Sequence, residues 1–155
     1  MALRVYFSII AIMALTMSAA LADGVTFGWT KLEVITSDAK HHMFKVELAE
    51  TQDQLSQGLM FRKTLAADTG MLFNFARARP VSMWMKNTLI PLDMLFIDRA
   101  GLVIHVEEFA VPGTLEPRGP SQPVLGVLEL PAGTSRRLGI RPGDRVDHAI
   151  FTPRP

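Results

Sequence analysis

Regular alternation of apolar and polar side chains predicts strands in three parts of the chain. Positions two residues apart are apolar over most of each segment, a spacing typical of a strand that buries one face against a core. The three segments are residues 44–49, 102–107 and 145–150. Further apolar runs predict strands at residues 31–35, 71–75, 81–85 and 125–130.

The segment Leu92–Ile97 is apolar at every position except Asp93, which is typical of a central strand that is covered on both faces. Residues 98–101 follow with the sequence Asp-Arg-Ala-Gly. Because Gly101 can adopt the positive φ that a tight turn needs, these residues predict a hairpin to the strand that starts at Leu102.

Two short helices are predicted. Thr51 and Gln54 have the spacing of a capping box, which marks the start of a helix. The second helix covers residues 133–138, and Gly139 is placed to end it in the left-handed conformation. Residues 110–123 contain four prolines and two glycines, so they predict one long loop. These elements together indicate a β-rich α+β fold.

The N-terminal residues have the order of a secretory signal peptide. Arg4 precedes an apolar run at residues 5–15, and small residues lead to Ala22. The run is shorter than the about 20 residues of a membrane-spanning helix, so we expect cleavage after Ala22. The predicted organisation is a signal peptide (1–22), an N-terminal extension with a possible strand (23–41), a single domain (42–151) and a tail (152–155). The expected location is the periplasm or the outside of the cell.

Charge and composition exclude several classes of partner. Without residues 1–22, which contain Arg4 and no acidic residue, the chain has 15 basic and 15 acidic side chains. A neutral chain lacks the basic surface of a nucleic-acid-binding protein, and no stable membrane insertion is expected after cleavage. No cysteine is present, which excludes disulfides and thiolate metal sites. No cofactor is predicted, and the sequence leaves the oligomeric state open.

Several uncommon strings occur in the order found in a known family. They are GLMFR from residue 58, GMLF from residue 70, WMKNT followed by IPLD from residue 84, and LELPAG from residue 128. On these strings the chain closely resembles the domain of unknown function 192 family over about residues 42–151. The resemblance implies a compact, mostly antiparallel β-barrel-like domain with short helices. It implies no activity.

The string from Trp84 to Asp93 places four polar side chains in an otherwise apolar stretch. If residues 81–85 form a strand, Trp84 and Lys86 share one face, with Asn87 and Thr88 in the turn that follows. An aromatic ring beside a cation, an amide, a hydroxyl and a carboxylate is typical of a small polar ligand site. The alternative is structural: Asn87 and Thr88 satisfy turn backbone groups, and Asp93 pairs with a cation.

Glu129 lies between two leucines in a predicted strand, where a carboxylate is costly to bury unless it is paired. Arg62 is a candidate partner for either Glu129 or Asp93, because a guanidinium can bind a carboxylate with two hydrogen bonds. Arg62 and Glu129 therefore join the candidate binding residues. If the protein is an enzyme, Asp93 and Glu129 are the candidate catalytic pair, since two adjacent carboxylates separate their pKa values.

Methionine and histidine suggest a third class. Met83 and Met85 fall on one face of the predicted strand, and thioether and imidazole groups suit Cu(I). His105 completes this candidate copper set, although methionine more often fills gaps in a core. Three classes therefore remain: a module that binds a small molecule or an envelope protein, a hydrolase-like enzyme, and a copper-binding protein.

Overall fold

The computed structural model describes residues 24–151. The predicted signal peptide (1–22) and tail (152–155) lie outside this range. Residues 24–151 form seven strands and two short helices. In order, these are β1 (Gly28–Ile35), β2 (His41–Ala49), α1 (Gln52–Gln57), β3 (Thr69–Arg79), β4 (Leu92–Ile97), β5 (Val103–Ala110), β6 (Val124–Pro131), α2 (Thr134–Leu138) and β7 (Arg145–Asp147).

All seven strands belong to one sheet with the order β5-β4-β6-β3-β2-β1-β7. Only the β2–β3 pair is parallel among these strands. The sheet curls into a half-barrel, and its two outermost strands approach each other at one end. There Leu102 and Arg145 form an isolated antiparallel bridge, and the N–H of Val146 donates to the carbonyl of Gly101 at 2.7 Å. The β-rich, mostly antiparallel, barrel-like fold predicted above is confirmed.

The local predictions are confirmed at most of these elements. The β4–β5 hairpin forms around Gly101, which has a φ of 82°. Thr51 and Gln54 make both bonds of the capping box at α1, and Gly139 ends α2 in the left-handed conformation. The last strand is shorter than its alternation suggested, because residues 148–151 form a turn closed by the Phe151 N–H and the His148 carbonyl.

The strand predicted at residues 81–85 is wrong. Pro80 follows β3 and has no N–H to continue a ladder, and the chain then leaves the sheet. Within this segment Met83 alone makes strand-like pairing, a two-bond bridge to Arg118 in the long loop. Side chains still alternate here, because Val81 and Met85 are buried while Ser82, Trp84 and Lys86 are exposed.

Two apolar clusters cover the two faces of the sheet. The inner cluster joins residues from distant strands, such as Val34 of β1 and Ile97 of β4, across the curl of the half-barrel. The outer cluster covers β3, β6 and β4, and includes Met71, Phe73 and Met85. The segment after α1 and the segment after β3 complete this outer layer, which is where the candidate site lies. Neither helix within residues 24–151 has the length and apolar character needed to cross a membrane.

Candidate functional site

An open cleft of about 270 Å³ lies on the outer face of the sheet. One wall is α1 and the turn that follows it, and the opposite wall is the end of β3 with the segment after it. Strand β6 contributes Glu129. The apolar lining residues are Leu55, Leu59, Met60, Phe73, Phe75, Val81, Met83 and Trp84, and the polar ones are Gln52, Ser56, Gln57, Arg79, Ser82, Lys86, Thr88 and Glu129, with Gly58 at the end of α1. An apolar cleft with a few polar groups is typical of a small-molecule site.

Glu129 forms the floor of the cleft. It lies on β6 directly opposite Met71 of β3 and Met94 of β4, so its side chain projects into the outer layer. The residue is 4% exposed, and no group within residues 24–151 donates a hydrogen bond to its carboxyl or forms an ion pair with it. Burial therefore raises the pKa of Glu129 from 4.5 to about 8, and the acid is mostly protonated at neutral pH.

Two cations lie at the rim, each against an aromatic ring. The Lys86 ammonium is 5.5 Å from the centre of the Trp84 ring, and the Arg79 guanidinium is 5.0 Å from that of Phe75. Trp84 is 52% exposed, although an aromatic ring gains free energy when it is buried. The rim therefore offers an exposed aromatic surface and two positive charges.

Backbone bonds from the long loop hold the rim segment in place. The Met85 N–H donates to the Thr114 carbonyl, and the Gly113 N–H donates to the Met85 carbonyl, both at 3.0 Å. Met85 itself is fully buried in the outer cluster. These contacts fix the residues on either side, Trp84 and Lys86, at the mouth of the cleft.

Asn87 and Thr88 have structural contacts next to the cleft. Asn87 has a φ of 55°, and its carbonyl accepts a hydrogen bond from the Phe61 N–H at 2.9 Å. The Thr88 hydroxyl donates to the Lys86 carbonyl at 3.3 Å. Thr88 lines the cleft and Asn87 does not.

Asp93 has a different environment from Glu129. It is fully buried, and its carboxylate accepts three backbone N–H bonds, from Phe109 (3.0 Å), Gly133 (3.1 Å) and Ser135 (2.8 Å). It lies opposite Leu130 in the register, whereas Glu129 lies opposite Met94. Adjacent positions of a strand face opposite sides, so the proposed catalytic pair of Asp93 and Glu129 does not form.

Arg62 pairs with neither of its two expected partners. Its Nη2 atom lies 2.8 Å from both carboxylate oxygens of Glu47 on β2. The sequence-based pairing of Arg62 with Asp93 or Glu129 is therefore wrong, because the chain places Arg62 beside β2 and outside the cleft. Of the seven predicted binding residues, the cleft contains Trp84, Lys86, Thr88 and Glu129.

The candidate copper residues lie in different surroundings. Met83 lines the cleft, Met85 is buried in the outer cluster, and His105 lies on β5 with its ring 5.5 Å from that of Phe96. Within residues 24–151, no three His, Asp or Glu side chains are grouped as metal ligands.

Arg79, Phe75 and Ser56 are cleft residues that the sequence did not single out. Arg79 stands in the run Ala-Arg-Ala-Arg-Pro, which resembles an ordinary solvated strand end. Phe75 belonged to a predicted strand, and Ser56 to a predicted helix, but no local signal showed that the two elements face each other. Only the packing of α1 beside β3 brings them together.

Known proteins resemble this chain in sequence and in fold. The domain of unknown function 192 (DUF192) family, described as an uncharacterized ACR, matches residues 33–148. A protein of Sinorhizobium meliloti 1021, proposed in its name to be a transcription regulator, is 46% identical, with a TM-score of 0.80 over 82% of this chain and 98% of that one. A protein of unknown function from Novosphingobium aromaticivorans DSM 12444 is 37% identical, with a TM-score of 0.74 over 77% of this chain and 85% of that one.

No curated protein matches the chain significantly. The family match nevertheless covers most of the sequence, and both structural neighbours share the fold at well over 30% identity. The chain belongs to the DUF192 family.

Proposed function

We propose that the protein is a small-ligand-binding module whose ligand occupies the cleft above Glu129. The observation that carries this proposal is the buried Glu129 carboxyl, which faces an open cleft without a partner from residues 24–151. A buried polar group without a hydrogen bond costs about 1–3 kcal/mol. A ligand that bonded this carboxyl would remove that cost, which is a reason for the residue to be there.

The composition of the walls supports the proposal. Leu59, Met60 and Phe73 provide apolar contact area, and Trp84 presents an exposed ring at the mouth. The polar groups are few and lie at the floor and the rim, where they would orient a ligand. The rim is built on backbone bonds to the long loop, so it is organised before a ligand arrives.

The proposed location is the periplasm or the outside of the cell. Its support is the order of Arg4, the apolar run at residues 5–15 and the small residues before Ala22. Mass spectrometry of the protein made in its native host tests this. We expect a mature N-terminus at Asp23, and a mature protein that still contains Arg4 would exclude cleavage by signal peptidase.

The name of the Sinorhizobium meliloti neighbour raises regulation of transcription as a function. For this chain we favour a small ligand over DNA, because its 16 basic and 15 acidic residues nearly balance and DNA binding relies on an excess of positive charge. An envelope protein that inserts a side chain into the cleft is the alternative occupant.

An enzyme is the second candidate function, and the raised pKa of Glu129 favours it. A carboxyl with a pKa of about 8 can serve as a general acid near neutral pH. Such an enzyme would use Glu129 without Asp93, which faces the other side of the sheet. Chemical conversion of a cleft ligand over time, followed by NMR and lost in Glu129→Gln, would identify an enzyme.

A cleft-blocking variant tests the binding function. Ser56 is exposed on the cleft side of α1, so Ser56→Trp fills the space without entering the core. Asp53 is exposed on the same helix and does not line the cleft, so Asp53→Trp is the matched control. We expect ligand-observed NMR with a library of small organic compounds to find binders of the wild type and of Asp53→Trp that Ser56→Trp does not bind. If every binder retains its affinity for Ser56→Trp, the cleft is not the site.

A further inference from the structure

Two of the three ionisable residues of the described chain that line the cleft are cations. Among residues 24–151, its ionisable lining residues are Arg79, Lys86 and Glu129. The two cations form no ion pair with a carboxylate of the described chain, and each instead lies over an aromatic ring. No carboxylate of residues 24–151 therefore neutralises their positive charge, which is available to a ligand.

The floor of the cleft adds no opposing charge near neutral pH. Burial keeps Glu129 mostly protonated below pH 8, and a neutral carboxyl donates one hydrogen bond and accepts others. A cationic ligand would meet two like charges at the rim and an uncharged acid at the floor. An anionic ligand would meet two opposite charges and a hydrogen-bond donor.

The apolar walls of the cleft indicate the character of the rest of the ligand, beyond its charged group. Phe73 and Phe75 of β3 and Leu55 of α1 line the space between the floor and the rim, and burial of apolar surface contributes about 25 cal/mol per Å². A purely polar anion such as phosphate would leave these side chains without contacts. The complementary ligand has an apolar body and one anionic group.

We propose that the cleft binds a small amphipathic organic anion, with its anionic group beside Arg79 and Lys86 and its apolar body against the walls above Glu129. This inference rests on the binding function proposed above and specifies the chemical class of the ligand. Its key element is the pair of rim cations, neither of which has a carboxylate partner in the described part of the chain.

The proposal makes the binding of an anion dependent on pH. The elements packed around Glu129 bring Met71 and Arg79 from β3, Met94 from β4 and Lys86 from the rim segment. Helix α1 brings Gln52, Ser56 and Gln57, which do not titrate. Glu129 is expected to lose its proton near pH 8, so an anion should bind more weakly above that pH as the floor becomes negative.

Three probes with the same apolar body test the charge preference: octanoate, octylammonium and 1-octanol. Dissociation constants are measured by NMR titration at about pH 6.5, below the pKa of about 8. We expect octanoate to bind at least about tenfold more tightly than octylammonium, equivalent to about 1.4 kcal/mol. Equal or tighter binding of octylammonium would overturn the inference.

Variants of Lys86, Arg79 and Glu129 test whether these residues cause the preference for octanoate. Lys86→Met and Arg79→Met keep much of the apolar stem, and each should weaken octanoate severalfold while leaving 1-octanol unchanged. Raising the pH to about 9.5 should weaken octanoate for the wild type and not for Glu129→Gln, which cannot ionise. Octanoate binding that is unaffected by both rim variants would overturn the inference, and melting temperatures check that each variant is folded.

The outcomes also separate this inference from the proposed function. Suppose that 1-octanol or octylammonium binds the wild type but not Ser56→Trp, and that octanoate does not bind. The cleft is then a site for another class of ligand. If each of the three probes has the same dissociation constant for Ser56→Trp as for Asp53→Trp, the cleft is not a binding site for such ligands. The anionic class of ligand is then excluded as well.

Discussion

The carboxyl groups of Asp93 and Glu129 project from opposite faces of two hydrogen-bonded strands. Asp93 accepts three backbone N–H bonds on the inner side, and Glu129 faces the cleft on the outer side without a donor from residues 24–151. Each is almost completely buried. One carboxyl therefore joins parts of the fold, and the other is available to a ligand.

Asp93 should be essential for stability. It connects the end of β5 with the start of α2, and Asp93→Ala leaves one buried and two partly buried N–H groups without their acceptor. We expect the free energy of unfolding, measured in urea, to fall by at least about 3 kcal/mol. Asp98 is the matched control, because it accepts two backbone bonds in an exposed turn. Asp98→Ala should cost about 1 kcal/mol, and equal costs at the two sites would contradict a special role for Asp93.

Glu129 should make stability depend on pH. Its pKa is about 8 in the folded protein, whereas the ordinary value of 4.5 applies to the unfolded chain, so the unfolded state loses its proton first as the pH rises. The wild type should therefore become less stable between about pH 4.5 and pH 8, by on the order of a few kcal/mol, relative to Glu129→Gln. Above pH 8 the difference should level off.

Urea titrations of the wild type and Glu129→Gln at several pH values measure this difference. Other groups that titrate contribute equally to both proteins and cancel. A difference that stays constant from about pH 4.5 to about pH 9 would mean that the carboxyl is solvated or paired in solution.

Arg62 and Glu47 should be energetically coupled. The Glu47 side chain is 9% exposed and the Arg62 side chain 38%, so Arg62→Ala leaves a nearly buried carboxylate without its cation. We expect a loss of about 1–2 kcal/mol, reduced from the fully buried case because water reaches the guanidinium. A double-mutant cycle with Glu47→Ala should give a coupling energy of about 1 kcal/mol.

The pair of Lys40 and Asp38 is the control for that cycle, since both side chains are more than half exposed. Exposed pairs contribute little, so its coupling energy should be the smaller of the two. If the Arg62–Glu47 coupling is no larger, the segment after α1 is not anchored to β2 through this pair.

Asn87 should be replaceable by glycine but not by valine. Its φ of 55° is accessible to glycine without strain, whereas a β-branched side chain is disfavoured there by at least about 1 kcal/mol. Asn87→Gly should leave the melting temperature almost unchanged and Asn87→Val should lower it. If both variants lower the melting temperature equally, the loss of stability comes from removing the asparagine side chain, whose amide lies 3.8 Å from the Met60 sulfur.

Most strands could be predicted because their signals are local. The alternation around Val46 and the apolar run Leu92–Ile97 each report the burial of that segment itself, and both form strands. Residues 81–85 show the limit of such signals. Their alternation arises from a loop that packs Val81 and Met85 on the outer layer, and burial alone does not distinguish that loop from a strand.

Some residues of the candidate site could be predicted from the sequence, but others, such as Arg79, and the arrangement as a whole could not. Glu129 and Asp93 stood out because carboxyls are rare in apolar strands. Whether the two carboxyls share a face of the sheet depends on the register of β4 with β6. A shift of one residue moves every side chain of a strand to the opposite face. Arg62 pairs with Glu47, 15 positions earlier in the chain. The path of the turn after α1 sets this pairing, and the spacing of residues in the sequence does not predict that path.

The short strand β7 has a consequence for the order in which the fold forms. It pairs with β1 near the start of the described chain, and its first residue bridges to the segment before β5. The N-terminus emerges first, whether from the ribosome or from an export channel, so the half-barrel cannot join its two outer strands until residue 147 has emerged. Until then the edge of β1 that receives β7 has no partner from this sheet. The native arrangement is therefore completed late, and a chain truncated before Arg145 would retain an open strand edge, which is a known site of aggregation.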